Sequence, residues 1–213
     1  MISNTYQTPL GELQITMIGH AATLLQLNGK TIYTDPYGEI TDFSDFPKAD
    51  LVLITHEHYD HLDKIELAKI VTLSTKIIGT PTVATELENI IVLKNSEKTV
   101  WENIEIAATP AYNIIQKRDD GQPFHPKGSG NGYILNFSGF RVYFAGDTEL
   151  IPEMNTIGAI DIAFLPKNLP YTMSDEIFIE TAKFINPKIL YPYHYFEVDK
   201  AKLQAALPNI EIK

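Results

Sequence analysis

The stretch "TLLQLNGKTIYTDP", Thr23 to Pro36, is followed after a short polar segment by the apolar run "ADLVLIT", Ala49 to Thr55. Asn28-Gly29 is a dipeptide that accepts the positive φ angles of a two-residue hairpin turn. Thr23–Leu27 and Lys30–Asp35 on either side of it are then the arms of a hairpin that delivers Asp35 at its far end. Leu51–Thr55, with no alternation between apolar and polar residues, reads as a strand buried on both faces.

The pattern returns in the second half. "YILNFSGFRVYFAGDT" (Tyr133–Thr148) and "IDIAFLP" (Ile160–Pro166) repeat hairpin, strand-end aspartate and apolar strand. The offset is 110 to 112 residues, measured at Gly29 and Gly139, Asp35 and Asp147, and Asp50 and Asp161. Two similar units of sheet plus helix bury their faces most simply as an α+β, four-layer αββα sandwich, with residues 1–213 as one domain. Equivalent strand ends would then meet at one edge. The other periodicities predict strands at Leu13–Ile18, Gly132–Phe137, Arg141–Ala145, Ile160–Leu165 and Ile189–Pro192. They predict helices at Asp63–Leu73, Pro81–Asn89, Ser174–Ile185 and Asp199–Leu207.

Composition narrows the function classes. The chain has 213 residues, 44% of them hydrophobic, enough for a substantial core. Its formal net charge of -10, without a basic run, disfavours nucleic acid and anionic membrane surfaces as partners. There are no cysteines, so disulfides, thiolate ligands and cysteine nucleophiles are excluded together, and any metal must sit on nitrogen and oxygen. "MISNTYQTPLGELQ" has neither a basic n-region nor an apolar h-region, and no apolar run approaches the roughly 20 residues that span a bilayer. The expectation is a soluble, cytoplasmic protein by default, or a periplasmic one if a signal peptide has been removed. Oligomeric state is not readable.

Directly after the buried strand comes "HEHYDH", His56 to His61, which holds three of the six histidines of the chain. His56 and His58, two apart, point the same way in an extended segment, while Asp60 and His61 follow where a turn can aim them elsewhere. That suits two adjacent metals better than one. Imidazole nitrogen and carboxylate oxygen suit zinc, iron or manganese, and a catalytic site must leave a coordination position for water. His20, in "GHA", is a candidate pocket residue that contacts substrate or a metal-binding carboxylate, or else a structural histidine at a turn. Asp35 is a candidate orienter of a ligand histidine. Lys167 and Tyr171 follow the strand at Ile160–Leu165, at the edge where the repeat places the histidine cluster. Either could stabilise an oxyanion or hold an anionic substrate group. Tyr112, Tyr193 and Tyr195 read as aromatic packing around the site.

His56, His58, Asp60 and His61, preceded by Thr55, resemble the HxHxDH signature of the metallo-β-lactamase superfamily, and the resemblance runs through most of the chain. It implies that His56 and His58 bind a first metal and that Asp60 and His61 bind a second. "FAGDT" (Phe144–Thr148) is similar to the later strand-end aspartate motif, which makes Asp147 the bridging ligand. "YPYHY" (Tyr191–Tyr195) is similar to the last histidine motif, which makes His194 a ligand of the second metal. Glu57 and Tyr59 occupy the variable positions of the signature. "IGHAATLLQLNGKTIYTDP", "IPEM" (Ile151–Met154), "PYTMS" (Pro170–Ser174) and "YPYHY" resemble the branch that contains L-ascorbate-6-phosphate lactonase and many metal-dependent hydrolases. One departure stands out. The superfamily's third first-metal histidine corresponds to "TPAYN" (Thr109–Asn113), where Asn113 stands instead. The nearest histidine is His125 in "FHPKGSGNGY", twelve residues on, in a loop that could fold back. His125 is the candidate, with Asn113 or a vacant position as the alternatives.

The expected activity is metal-dependent hydrolysis of a small ester, lactone or phosphodiester, with two divalent ions, zinc first and manganese or iron after it. The substrate is a small molecule, and two ions against Asp60 and Asp147 would favour an anionic one. Two other classes remain open. One is a mono-iron oxidoreductase on the same fold; di-iron relatives typically have a glutamate where His58 stands. The other is a metal-binding protein without turnover.

Overall fold

The computed structural model describes residues 1–213, which divide into two units, Met1–Lys94 and Asn95–Lys213. The first unit is a seven-stranded sheet whose spatial order equals its chain order. Its strands are β1 (Ile2–Thr8), β2 (Gly11–Gly19), β3 (Ala22–Leu27), β4 (Lys30–Thr34), β5 (Leu51–Leu53), β6 (Lys76–Gly79) and β7 (Ile91–Val92). The first four strands pair antiparallel and the pairings from β4 to β7 are parallel. The β3–β4 turn is the expected one, with Asn28 at φ 50 and Gly29 at φ 75. Helix α1 (Lys64–Ile70) is capped by Asp63, whose side chain accepts from the amides of Ile65 and Glu66. It lays Leu67 and Ile70 on a core with Leu24, Tyr33, Val52 and Ile54. Leu25, Ile32, Leu51 and Leu53, pointing the other way along the pleat, are buried as well, which is why β5 reads as an unbroken apolar run.

The second unit is also seven-stranded, from β8 (Lys98–Trp101) through β9 (Ile104–Ala111), β10 (Gly130–Phe137), β11 (Phe140–Phe144), β12 (Ile162–Pro166) and β13 (Ile189–Tyr193) to β14 (Glu211–Ile212). Its pairings run antiparallel up to β11 and parallel after it, the same sequence of senses as in the first unit. The weak internal repeat is therefore a duplication of topology. Helix α3 (Asp175–Ile185) starts at the Ser174 cap and ends at Asn186 in the left-handed region. Its Phe178, Ala182 and Ile185 pack with Tyr143, Ala163, Leu165 and Leu190. Helix α4 (Lys200–Ala206) is capped by Asp199.

Several boundaries differ from expectation. The helix expected at Pro81–Asn89 is a single turn, α2 (Val83–Glu86): two of its four residues, Val83 and Thr85, are β-branched, the backbone is extended by Leu87 and Asn89 at φ 58 follows. The helix expected at Asp63–Leu73 stops at Ile70, and the strand expected at Leu51–Thr55 stops at Leu53, so the site loop begins two residues early. Strands β1, β6, β7, β8, β9 and β14 were not expected. No helix is long and apolar enough to cross a membrane.

Across β11, β12 and β13, register partners Phe144, Phe164 and Tyr191 stack with centroids 4.6 and 4.5 Å apart and interplanar angles of 18° and 11°. Phe164 touches both neighbours and is fully buried. Phe164→Ala is expected to lower unfolding free energy by about 3–5 kcal/mol, measured as a fall in the urea midpoint.

Candidate metal centre

In the first unit, three strand ends supply the polar side chains. β4 ends at Thr34 and Asp35 follows at φ 39, a strained conformation held by its N–H donating to the Leu53 carbonyl at 3.2 Å. The Asp35 carboxylate is buried and accepts three hydrogen bonds: from the Thr55 amide (2.8 Å), the Thr55 hydroxyl (2.7 Å) and His61 Nδ1 (2.9 Å). Because the Thr55 hydroxyl donates to Asp35, it accepts from His56 Nδ1, 3.0 Å away. Both Nδ1 atoms thus carry the proton, and the Nε2 atoms of His56 and His61 keep their lone pairs.

His58 is turned by the chain folding back on itself, its carbonyl accepting from the amides of His61 and Leu62. Its Nδ1 lies 3.1 Å from His56 Nε2. His20, at φ 52 after β2, places Nε2 3.0 Å from Asp60 Oδ2, and the donor atoms of His20, Asp60 and His61 lie within 4.8 Å of one another. Of the two roles open to His20, its contact is with the carboxylate. Glu57 accepts from the Thr82 hydroxyl, away from these donors, and Tyr59 is exposed beside Tyr37.

In the second unit Asp147 follows β11 through Ala145 and Gly146. Gly146 has φ 67, and a Cβ on it would come within 2.5 Å of the Asn131 carbonyl oxygen, so only glycine lets the chain turn here. Asp147 Oδ2 is 3.2 Å from His125 Nε2 and 3.2 Å from His194 Nε2. His194 leaves β13 at φ 50, with Nδ1 3.3 Å from the Asn168 amide. The loop between Asn113 and His125 does fold back: the Asn113 amide donates to the His125 carbonyl (3.0 Å), and His125 N and Nδ1 both reach Asn113 Oδ1 (2.7 and 2.8 Å). Asn113 Nδ2 donates to Glu149 Oε1 (3.1 Å) and the Tyr171 carbonyl (2.9 Å), so both ends of its side chain are engaged.

Tyr171 packs edge-on against Phe124, 5.1 Å between centroids. Lys167 is paired with Asp175 at 2.7 Å. Tyr112 and Tyr193 are buried packing residues as expected; Tyr112 also donates to Glu153.

These donors fit a divalent metal. A tetrahedral ion with bonds of about 2.0–2.1 Å needs ligand atoms about 3.3 Å apart. The pairs His56–His58, His125–Asp147 and His194–Asp147 stand at 3.1, 3.2 and 3.2 Å. The set is nitrogen and oxygen only, which suits zinc, manganese or iron.

Sequence reading passed over three contributors: Thr55 as the junction behind two histidines, Asn113 as a partner of His125, and Glu149. The signal for Glu149 was an acid two residues after the motif aspartate in a stretch otherwise apolar or small.

The geometry has counterparts in known proteins. The Beta-lactamase superfamily domain model matches residues 14–194, across both units. A UPF0173 metal-dependent hydrolase of Lysinibacillus sphaericus is 34% identical over 210 residues, covering 86% of this chain and 85% of that one. The crystal structure of a candidate metal-dependent hydrolase from Parabacteroides distasonis has a TM-score of 0.93 at 42% identity, covering 100% of this chain and 97% of that one. Igni18, a metallo hydrolase from Ignicoccus hospitalis, has a TM-score of 0.75 at 26% identity, covering 94% of each chain. The chain belongs to the metallo-β-lactamase superfamily and, within it, to the UPF0173 metal-dependent hydrolases. The α+β fold expected from the duplicated hairpins is the fold of this superfamily.

Two outcomes follow from the contacts. Asp35→Ala leaves the Thr55 and His61 donors buried without their acceptor and is expected to cost about 3 kcal/mol of stability, read by denaturant titration. Lys167, and after it Lys202, hold the Asp175 carboxyl below the ordinary value of 3.8. A depressed carboxyl stabilises the fold above its unfolded pKa, and this contribution is lost as pH falls through the folded one. In Lys167→Met the Asp175 midpoint, followed by carboxyl NMR, is expected to rise toward 3.8.

Proposed function

We propose that the chain hydrolyses a small, anionic ester, lactone or phosphodiester. The ligands in this reading are His56, His58, Asp60, His61, His125, Asp147 and His194, for two divalent ions, zinc first. The observation that carries it is the state of the ring nitrogens: Asp35, Thr55 and Asn113 engage the Nδ1 atoms of His61, His56 and His125, so that Nε2 is the ligating atom in each.

Bound divalent metal lowers the pKa of a coordinated water towards neutrality and polarises a carbonyl or phosphoryl oxygen. Asp60 orients the attacking water and takes its proton, with Oδ2 kept in line by His20 Nε2 at 3.0 Å. The Tyr171 phenol, 40% exposed, donates to the oxygen on which negative charge develops. Lys167 adds positive potential, moderated by Asp175. Four metal charges against the two of Asp60 and Asp147 favour an anionic substrate although the chain as a whole is acidic.

Protein purified without added metal is expected to contain two zinc or manganese ions per chain and to hydrolyse one class in a panel of lactones, β-lactams and p-nitrophenyl phosphodiesters. Chelation should abolish turnover and zinc or manganese restore it. One iron per chain with oxygen consumption, or bound metal without turnover of any hydrolysable class, would overturn the hydrolase reading.

A further inference from the structure

The loop that carries His125 is built around a buried carboxylate. Glu149, 1% exposed, accepts from three consecutive amides, Ile114 (2.9 Å), Ile115 (2.7 Å) and Gln116 (2.7 Å), and from Asn113 Nδ2 (3.1 Å). These four donors satisfy a charge that would otherwise be costly to bury. They also decide which way the Asn113 amide points. The two groups facing its nitrogen, the Glu149 carboxylate and the Tyr171 carbonyl, are both acceptors, so the NH2 must lie on that side and Oδ1 on the other. Oδ1 then takes both the backbone N–H and Nδ1 of His125, a two-point grip that fixes the ring's position and its tautomer together.

We infer that Asn113 is the positioning residue for His125, holding the Nδ1–H form so that Nε2 is presented as a ligand, and that Glu149 acts through Asn113 by fixing the orientation of its amide. This rests on the proposed role of His125 as a metal ligand. Asn113 thus stands where the resemblance places the superfamily's third first-metal histidine, and it holds the Nδ1 side of the His125 ring. A neutral imidazole without such a partner distributes its proton between the two nitrogens, and the fraction carrying Nε2–H has no lone pair for a metal.

The test uses the full chain stripped of metal. In 15N-histidine NMR near neutral pH, His125 is expected to carry a proton on Nδ1, Nε2 being free to hold a second one towards Asp147 Oδ2 at 3.2 Å, and in Asn113→Ala the Nδ1 proton is expected to be lost in favour of the Nε2–H form. Zinc affinity, measured by chelator competition, should fall 10- to 100-fold in that variant and by a smaller factor in Glu149→Gln, with circular dichroism reporting the fold. A His125 without a proton on Nδ1 in the native zinc-free protein overturns the inference without any variant. Native zinc affinity in Asn113→Ala, while His125→Ala loses it, overturns the inference alone. Native zinc affinity in His125→Ala overturns the ligand assignment and this inference with it.

Discussion

Asp35 gathers three hydrogen bonds onto one buried carboxylate, and through them the end of β4 is tied to the loop that leaves β5. A carboxylate removed from water costs several kcal/mol unless its oxygens are satisfied, and all three donors come from the site loop, so the loop has one position in which the charge is tolerated. That requirement sets His61 directly and His56 through the Thr55 hydroxyl. It also sustains the φ of 39 at Asp35 itself, an angle that a non-glycine residue keeps only where its surroundings impose it.

The duplicated topology makes it possible to compare what each half does with its strand-end aspartate. In the first unit Asp35 stands behind the histidines and orients them. In the second, Asp147 faces them, with one oxygen 3.2 Å from both His125 and His194. The anchoring task there falls to Glu149, two residues along, which collects backbone amides and the Asn113 side chain much as Asp35 collects Thr55 and His61. Equivalent positions in equivalent sheets have thus divided between holding ligands and facing them.

Much of this was legible from the residues because the signals were local. Asn28-Gly29 fixes a turn by its own φ requirement, and an uninterrupted run such as Leu51–Leu53 can only be buried. The HxHxDH spacing carries its chemistry within six residues. What escaped were features whose cause lies far along the chain. β1 presents "ISNTYQT", an edge strand in which only Ile2 and Tyr6 are apolar or aromatic, too few for an alternation to show. β9 hides its alternation behind alanines and Pro110. The tie between Asn113 and Glu149 spans 36 residues and depends on which end of an amide faces which acceptor, and no spacing rule encodes that. The over-long helix at Pro81–Asn89 is the opposite case: a plausible local pattern ended by the extended backbone at Leu87 and the left-handed Asn89.

The loop between Asn113 and His125 is closed at its base by three hydrogen bonds between these two residues, while Ile114, Ile115 and the stretch around Asp119 and Asp120 are exposed. Doubling the length of a flexible loop costs only about 0.6 kcal/mol in closure entropy. A lineage could therefore lengthen, shorten or recolour the tip of this loop without displacing the histidine at its root.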